Sequence, residues 1–312
     1  MTAHAAPVSR DDIARAADRL GAHIRRTPTF EVRGSDLGLV DPSQALTLKL
    51  EHLQHSGSFK GRGALNALLT SDPAPDGVVA ASGGNHGIAV AWAARETHQK
   101  ANIFVPEVAA SAKVERLVQL GAAVHQTGAL YSDALAAAEA FAASRDVATV
   151  HAYDQFEVMA GAGTVGLEID AQVPEVETIV VACGGGGLAG GIASWFGPAV
   201  RLVVAETEGT PTYAEARRQG GPVDVDITGV GADALGARRL GALGWQALSS
   251  IDAESVLVSD ASVEESRAHL WDRCRLRVEP AAAAAVAAAR VASASADLGR
   301  TCIVVCGANV GP

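Results

Sequence analysis

The chain has 312 residues, 48% of them hydrophobic, enough for one large or two modest domains around a sizeable core. Its 35 acidic against 25 basic residues leave a formal charge of −10, which argues against a nucleic-acid or anionic-membrane partner and for small molecules. Four cysteines, Cys183, Cys274, Cys302 and Cys306, fall in apolar patterns without CxxC spacing; this is the usage of reduced thiols in a cytoplasmic protein, not of a disulfide framework or a metal site.

From the N-terminus, MTAHAAPVSRDDIARAADRL lacks the apolar core of a secretion signal, and Ser9 with Asp12 reads as a cap before a helix. Short β-rich runs follow: ALTLKL (45–50), DGVVAAS (76–82), ANIFVP (101–106), TVHAY (149–153), TIVVAC (178–183), RLVVAE (201–206), SVLVS (255–259) and TCIVVC (301–306). Segments of helical length separate most of them, such as SAKVERLVQLGA (111–122) and YSDALAAAEAFAASR (131–145). The alternation predicts an α/β fold with a parallel sheet and helices on both faces. SDPAPDG (71–77) and the turn before TVHAY are candidate crossings between two lobes with a cleft between them. No run reaches the ~18 apolar residues of a spanning helix. The closest, EPAAAAAVAAARVASA (279–294), carries Arg290 and reads as a helix packed tightly on a sheet.

Four stretches carry chemistry. In EHLQHSGSFKGRGAL (51–65), Lys60 enters the first turn of a helix, where the macrodipole favours a neutral amine fit for a Schiff base; a solvated surface lysine is the plain alternative. In VVAASGGNHGIAVAWAA (78–94), a strand, a small polar turn and a helix start offer the Ser82 hydroxyl, the Asn85 amide and free N–H groups as a carboxylate clamp. His86 is there either a general base or a packing residue. In VVACGGGGLAGGIA (180–193), a strand, four glycines and a small-residue helix make a phosphate cradle. Gly185, Gly187 and Gly190 with Glu206, 21 residues past Gly185, also satisfy the dinucleotide fingerprint, so the phosphate's owner stays open. In IVVCGANVG (303–311), Cys306 ends an apolar strand, as a ligand-facing or a merely buried thiol.

Taken in order, SGSFKGRGA, SGGNHG, CGGGGLAGG and CGAN resemble the fold-type II pyridoxal-phosphate enzymes, in the threonine/serine dehydratase and serine racemase group. The linking stretches KLEHLQ, FVPEVAASAKVERLVQLGA, HAYDQFEVMAGAGTVGLEI and RVEPAAAAAVAA extend the likeness over nearly the whole chain. The resemblance implies a two-lobed α/β fold, with residues 1–72 and 148–312 as the cofactor-binding lobe and 73–147 as the smaller one. It implies that Lys60 joins the cofactor aldehyde and then works as acid and base at the α-carbon. Gly184, Gly185, Gly186, Gly187 and Leu188 cradle the phosphate, Asn85 bonds the ring hydroxyl, Phe59 lies beside the ring and Cys306 sits against the pyridine nitrogen. Ser82, Gly83, Gly84, Asn85 and His86 hold the substrate carboxylate. A homodimer and an amino-acid substrate are implied by the resemblance alone.

The reaction so implied is α,β-elimination of water from a β-hydroxy amino acid, giving a 2-oxo acid and ammonia. A thiol at Cys306 leaves the pyridine neutral and limits carbanion delocalisation, which favours prompt departure of a β-hydroxyl. A racemase is the rival, but serine racemase has a serine where this chain has Gly83, which cannot move a proton. An amino-acid-binding protein without catalysis and a nicotinamide dehydrogenase are the remaining alternatives.

Three departures from the group's pattern matter. The usual glycine-glutamine-glycine-threonine run is GAGT, with Ala162 in place of the glutamine, which predicts a roomier pocket and a bulkier substrate such as 3-phenylserine. Near the altered ADA run (232–234), Arg238 and Arg239 would instead recruit an acidic substrate such as 3-hydroxyaspartate. Glu206 matches a glutamate beside a structural cation in the group, but the other expected side-chain ligand is missing, with Thr210 and Thr212 nearby, which argues against a divalent site and leaves a potassium-like site on backbone carbonyls or an acid that merely caps a strand. The chain stops soon after CGANVG, so a regulatory domain and end-product feedback are not expected.

Overall fold

Continuous apolar runs go to the middle of the molecule, because only a strand covered on both faces can be apolar throughout. The computed structural model describes residues 6–310. Ten strands form among them: β1 (Thr29–Arg33), β2 (Ala45–Lys49), β3 (Val78–Ala81), β4 (Ala101–Val105), β5 (Ala123–Gln126), β6 (Ala148–Thr149), β7 (Thr178–Ala182), β8 (Arg201–Thr207), β9 (Glu254–Val258) and β10 (Thr301–Val304). They make a six-stranded sheet, β1-β2-β10-β7-β8-β9, and a four-stranded sheet, β5-β4-β3-β6. All pairs are parallel except β1 with β2. The fold class is therefore the expected α/β type, with the smaller sheet inserted between β2 and β7.

Strand pairing differs from the sequence reading in three places. TVHAY gives only Thr149 to a strand, and β6 pairs with β3, so the smaller sheet runs just past the 73–147 span expected for that lobe. The rest of TVHAY leaves the ladder because the His151 ring Nδ1 accepts the Tyr153 and Asp154 N–H groups at 3.2 and 2.8 Å, folding the chain back on itself. β1 and β5, TFEVR and AVHQ, are strands that the apolar pattern does not announce. Both lie at sheet edges, where one neighbour suffices and most side chains stay out of the core.

The alanine tract forms the helix Pro280–Ser295 against the large sheet, with Ala281–Ala285 and Ala287–Ala289 each at most 2% exposed. Small side chains let its backbone approach β7, β8 and β10 closely. The GAGT glycines do the same between helices. A Cβ on Gly191, in helix Gly187–Phe196, would lie 2.7 Å from the Gly163 nitrogen in helix Phe156–Gln172. At the N-terminus, Ser9 and Asp12 form the capping box of helix Arg10–Leu20.

Helix Lys60–Leu69 is pinned by a buried ionic network. Arg62, fully buried, forks onto Glu51 at 2.7 and 2.8 Å and reaches Glu168 at 2.7 Å. Lys49 closes the network from β2 through Glu168, Gln172 and the Thr27 carbonyl. This arrangement sets the orientation of the helix whose first residue is Lys60.

Candidate active site

The C-terminal ends of β3, β7 and β10 open into one cleft, where parallel sheets present loops and helix N-termini to a ligand. It is concave and lined largely by apolar side chains and bare backbone, as small-molecule sites are. The wall brings together Phe59 and Lys60, Asn85 and His86, the run Gly184–Leu188, and Cys306, as the four motifs predict. Ser82, Gly83 and Gly84 lie outside that wall. The Ser82 hydroxyl accepts the Gly84 N–H at 3.2 Å, and a Cβ on Gly83 would meet only Val105, at 3.5 Å.

Lys60 begins its helix without a side-chain cap, and its Nζ donates to the Ala152 carbonyl at 2.7 Å. Desolvation lowers its pKa to about 8, against the opposing pull of Glu279. The Phe59 ring centroid lies 5.5 Å from the same amine. His86 Nε2 is 2.9 Å from the Val150 carbonyl, an acceptor only, so this nitrogen carries the proton. Burial, with the nearby Lys60 charge, holds the imidazole down at about 3 and keeps it neutral. Burial pushes the Cys306 thiol far up, so it stays protonated.

Asn85 is held from two sides. Its Nδ2 donates to Glu279 Oε2 at 2.6 Å, and its Oδ1 accepts from Asn309 Nδ2 at 2.6 Å. The Asn309 N–H donates to the other oxygen of Glu279. Glu279 is 4% exposed, caps the alanine helix and lines the cleft, and burial raises its pKa. Sequence reasoning missed it, along with Tyr153 and Asn309; an acid directly before a proline and an alanine tract was the available signal for Glu279.

The glycine loop turns at Gly186, whose φ of 87° suits a residue without a Cβ. A Cβ on Gly185 would stand 2.2 Å from the Tyr153 ring, so the ring lies directly on the loop. No backbone acceptor is found for the Gly184 and Gly185 N–H groups among the described residues, and the first-turn N–H groups of Gly187 and Leu188 have none within their helix. Orphan donors lining a cavity at a helix N-terminus fit a phosphate.

Glu206 does not fit the expected cation. It is fully buried near the end of β8, and its carboxyl accepts the Tyr213 and Ala214 N–H groups at 2.7 and 2.8 Å, with Thr212 Oγ1 2.9 Å away; burial raises its pKa to about 7. Those amides open helix Thr212–Gln219, so Glu206 is committed to satisfying a helix start. No group of three His, Cys, Asp or Glu side chains suited to a metal occurs among the described residues. Nor are Arg238 and Arg239 in the cleft wall: both are exposed, with Arg239 paired to Asp224. Asp233 of the ADA run pairs with Lys113.

A family profile described as pyridoxal-phosphate dependent enzyme matches residues 20–307. The chain belongs to that family. It is 34% identical over 304 residues to an L-threonine ammonia-lyase from Geobacter sulfurreducens, covering 96% of this chain and 75% of that protein. The maize serine racemase structure superposes with a TM-score of 0.91 at 29% identity, covering 98% of this chain and 95% of that one. A threonine deaminase structure from T.th. gives 0.89 at 29% identity, covering 97% of this chain and 99% of that one. The protein is thus a fold-type II pyridoxal-phosphate enzyme of the threonine/serine dehydratase family, and its cofactor is pyridoxal phosphate. Pyridoxal phosphate carries a single phosphate, so the dinucleotide fingerprint that the glycine loop also satisfies does not identify its ligand.

Proposed function

We propose that this enzyme is a dehydratase that eliminates water from a β-hydroxy amino acid and releases a 2-oxo acid and ammonia. Pyridoxal phosphate, when bound, supplies the electron sink that lets the α-proton leave. Lys60 is the amine that joins the cofactor aldehyde and then moves the proton at the substrate α-carbon; its amine, desolvated to about 8, is partly free at neutral pH. The N–H groups of Gly184, Gly185, Gly187 and Leu188 hold the phosphate. Asn85 offers its uncommitted N–H to the ring hydroxyl, Phe59 flanks the ring, and the Cys306 thiol faces the pyridine nitrogen as a weak partner. The turn from Ser82 to His86 receives the substrate carboxylate at a helix N-terminus.

The observation that carries elimination over racemisation is Gly83. Racemisation needs a proton carrier on the face opposite Lys60, and this position has no side chain although a Cβ there would make only ordinary contact with Val105. Neutral His86, bound to a carbonyl, is no substitute. On substrate size, Ala162 lines the cleft beside Gly63 and Val158, an apolar wall that supports 3-phenylserine as a substrate. An acidic substrate such as 3-hydroxyaspartate has no arginine there to receive it.

The test is 2-oxo acid and ammonia release from L-threonine, L-serine and 3-phenylserine, with chiral analysis of the residual amino acid. Comparable or greater kcat/KM for 3-phenylserine is expected. D-amino acid appearing as fast as 2-oxo acid would overturn the dehydratase reading, and a preference of orders of magnitude for threonine and serine would overturn the bulky-substrate reading. A cytoplasmic homodimer remains part of the proposal; light scattering tests the dimer.

A further inference from the structure

One side chain bridges Glu206 and the glycine loop. Thr212 Oγ1 lies 2.9 Å from Glu206 Oε1 and 2.5 Å from the Gly184 carbonyl oxygen, and both Thr212 and Glu206 are fully buried. Glu206 is gripped in turn by the next two amides of the same helix start, those of Tyr213 and Ala214. Three consecutive residues therefore bind the end of β8, and the first of them reaches on to the first glycine of the loop. In a trans peptide the carbonyl and the following N–H point to opposite sides. Thr212 is not in the cleft wall, whereas Gly184 and Gly185 are. A Gly184 carbonyl held toward Thr212 thus turns the Gly185 N–H toward the cavity.

We propose that Thr212 is a positioning residue of the phosphate cradle: its hydroxyl, anchored on Glu206, orients the Gly184–Gly185 peptide toward the cofactor phosphate without a cation in the linkage. Two helix-start amides already bind the Glu206 carboxyl, one on each oxygen, and displacing them would unwind the first turn of helix Thr212–Gln219. The hydroxyl takes up the linking role by hydrogen bonding: its one proton goes to the nearer Gly184 carbonyl, and its oxygen accepts the carboxyl proton that burial favours on Glu206. The proposal rests on pyridoxal phosphate being the cofactor; none of its readouts depends on which amino acid is turned over.

The experiment measures the dissociation constant of pyridoxal phosphate for resolved and reloaded enzyme, by visible absorbance. Thr212→Val keeps the shape and removes the hydroxyl, and is expected to weaken cofactor binding roughly tenfold, while Thr212→Ser stays within about twofold. EDTA followed by Mg²⁺, Ca²⁺ or K⁺ is expected to change the wild-type constant less than twofold. Thr212→Asp, which sets a second carboxylate beside Glu206, is expected to bind the cofactor well only with Mg²⁺ or Ca²⁺ added. If the valine variant does not fold, Thr212→Ala beside Thr212→Ser carries the same contrast. Wild-type affinity in the hydroxyl-free variants, or a wild-type enzyme that loses affinity several-fold on chelation and regains it with a cation, overturns the proposal.

Discussion

Replacing Arg62 by Met removes the centre of the buried ionic network while nearly keeping its volume, so the loss is electrostatic rather than a cavity. Glu51, fully buried, loses both of its guanidinium bonds and keeps only the Thr27 hydroxyl and the more distant Lys49 charge. Glu168 loses its 2.7 Å bond but keeps Lys49. Breaking one side of such a pair leaves an uncompensated buried charge, which costs about 3–5 kcal/mol. At about 2.1 cal/mol/K of unfolding entropy per residue, that lowers Tm by about 5–8 °C for a chain this long. The pH dependence follows from Glu51: burial pushes its carboxyl up, yet Arg62 more than offsets this and leaves it below the usual carboxylate range. A depressed carboxylate stabilises above its unfolded value of about 4.3 and loses that stabilisation as pH falls. In the variant, burial alone raises Glu51, so protonation relieves the penalty. Wild type and variant therefore converge on acidification, and the double variant Glu51→Gln/Arg62→Met recovers much of the loss at neutral pH. Differential scanning fluorimetry of the holoenzyme from neutral pH to about pH 5 reads all of this. A Tm drop under about 2 °C, or a gap that widens on acidification, refutes the account.

The free Lys60 amine, needed for attack on an aldehyde, increases as pH rises through about 8. Covalent capture of pyridoxal phosphate, trapped by borohydride, is expected to show that midpoint and to vanish in Lys60→Ala; a midpoint near the ordinary lysine value of about 10.4 contradicts the desolvated site. Gly185→Ala forces a Cβ into the Tyr153 ring at 2.2 Å. Overpacking of that kind costs about 1–3 kcal/mol, so cofactor affinity falls by roughly 5–150-fold in a spectroscopic titration, and unchanged affinity refutes the contact. Gly83→Ser fits beside Val105 and restores a proton carrier, so chiral chromatography is expected to show D-serine formed from L-serine by the variant alone.

How much was legible follows from which interactions are local. A strand, a glycine turn and a helix start depend on neighbouring residues, so the loop at Gly184–Leu188 and the turns at Lys60 and Asn85 can be read along the chain. So can the central strands β7, β8 and β10, whose two covered faces demand continuous apolar runs. Glu279 was not legible, because its meaning lies in Asn85 and Asn309, far away in sequence and adjacent only after the two sheets close on one another. Glu206 misled for the opposite reason. An acid ending a strand after a glycine loop has the right spacing for a ribose or a cation, and only the fold reveals a helix start already donating to it. TVHAY has strand composition, but the His151 ring competes for the backbone N–H groups a ladder would use.

The same rule explains why glycine is so abundant around this site. The glycine loop needs bare backbone because Tyr153 and Leu235, which line the same cleft, already press on it, at 2.2 Å from a Cβ on Gly185 and 3.0 Å from one on Gly184. The helix following the loop needs it at Gly191 to touch the GAGT helix, which packs in turn on the helix of Lys60. Gly83 differs from these, since nothing crowds it and its φ is not positive. No packing or turn requirement accounts for a glycine there. On the dehydratase reading proposed above, its bareness is chemical: one face of the α-carbon is left without an acid, so a proton removed by Lys60 is not returned from the other side, and loss of the β-hydroxyl becomes the open exit.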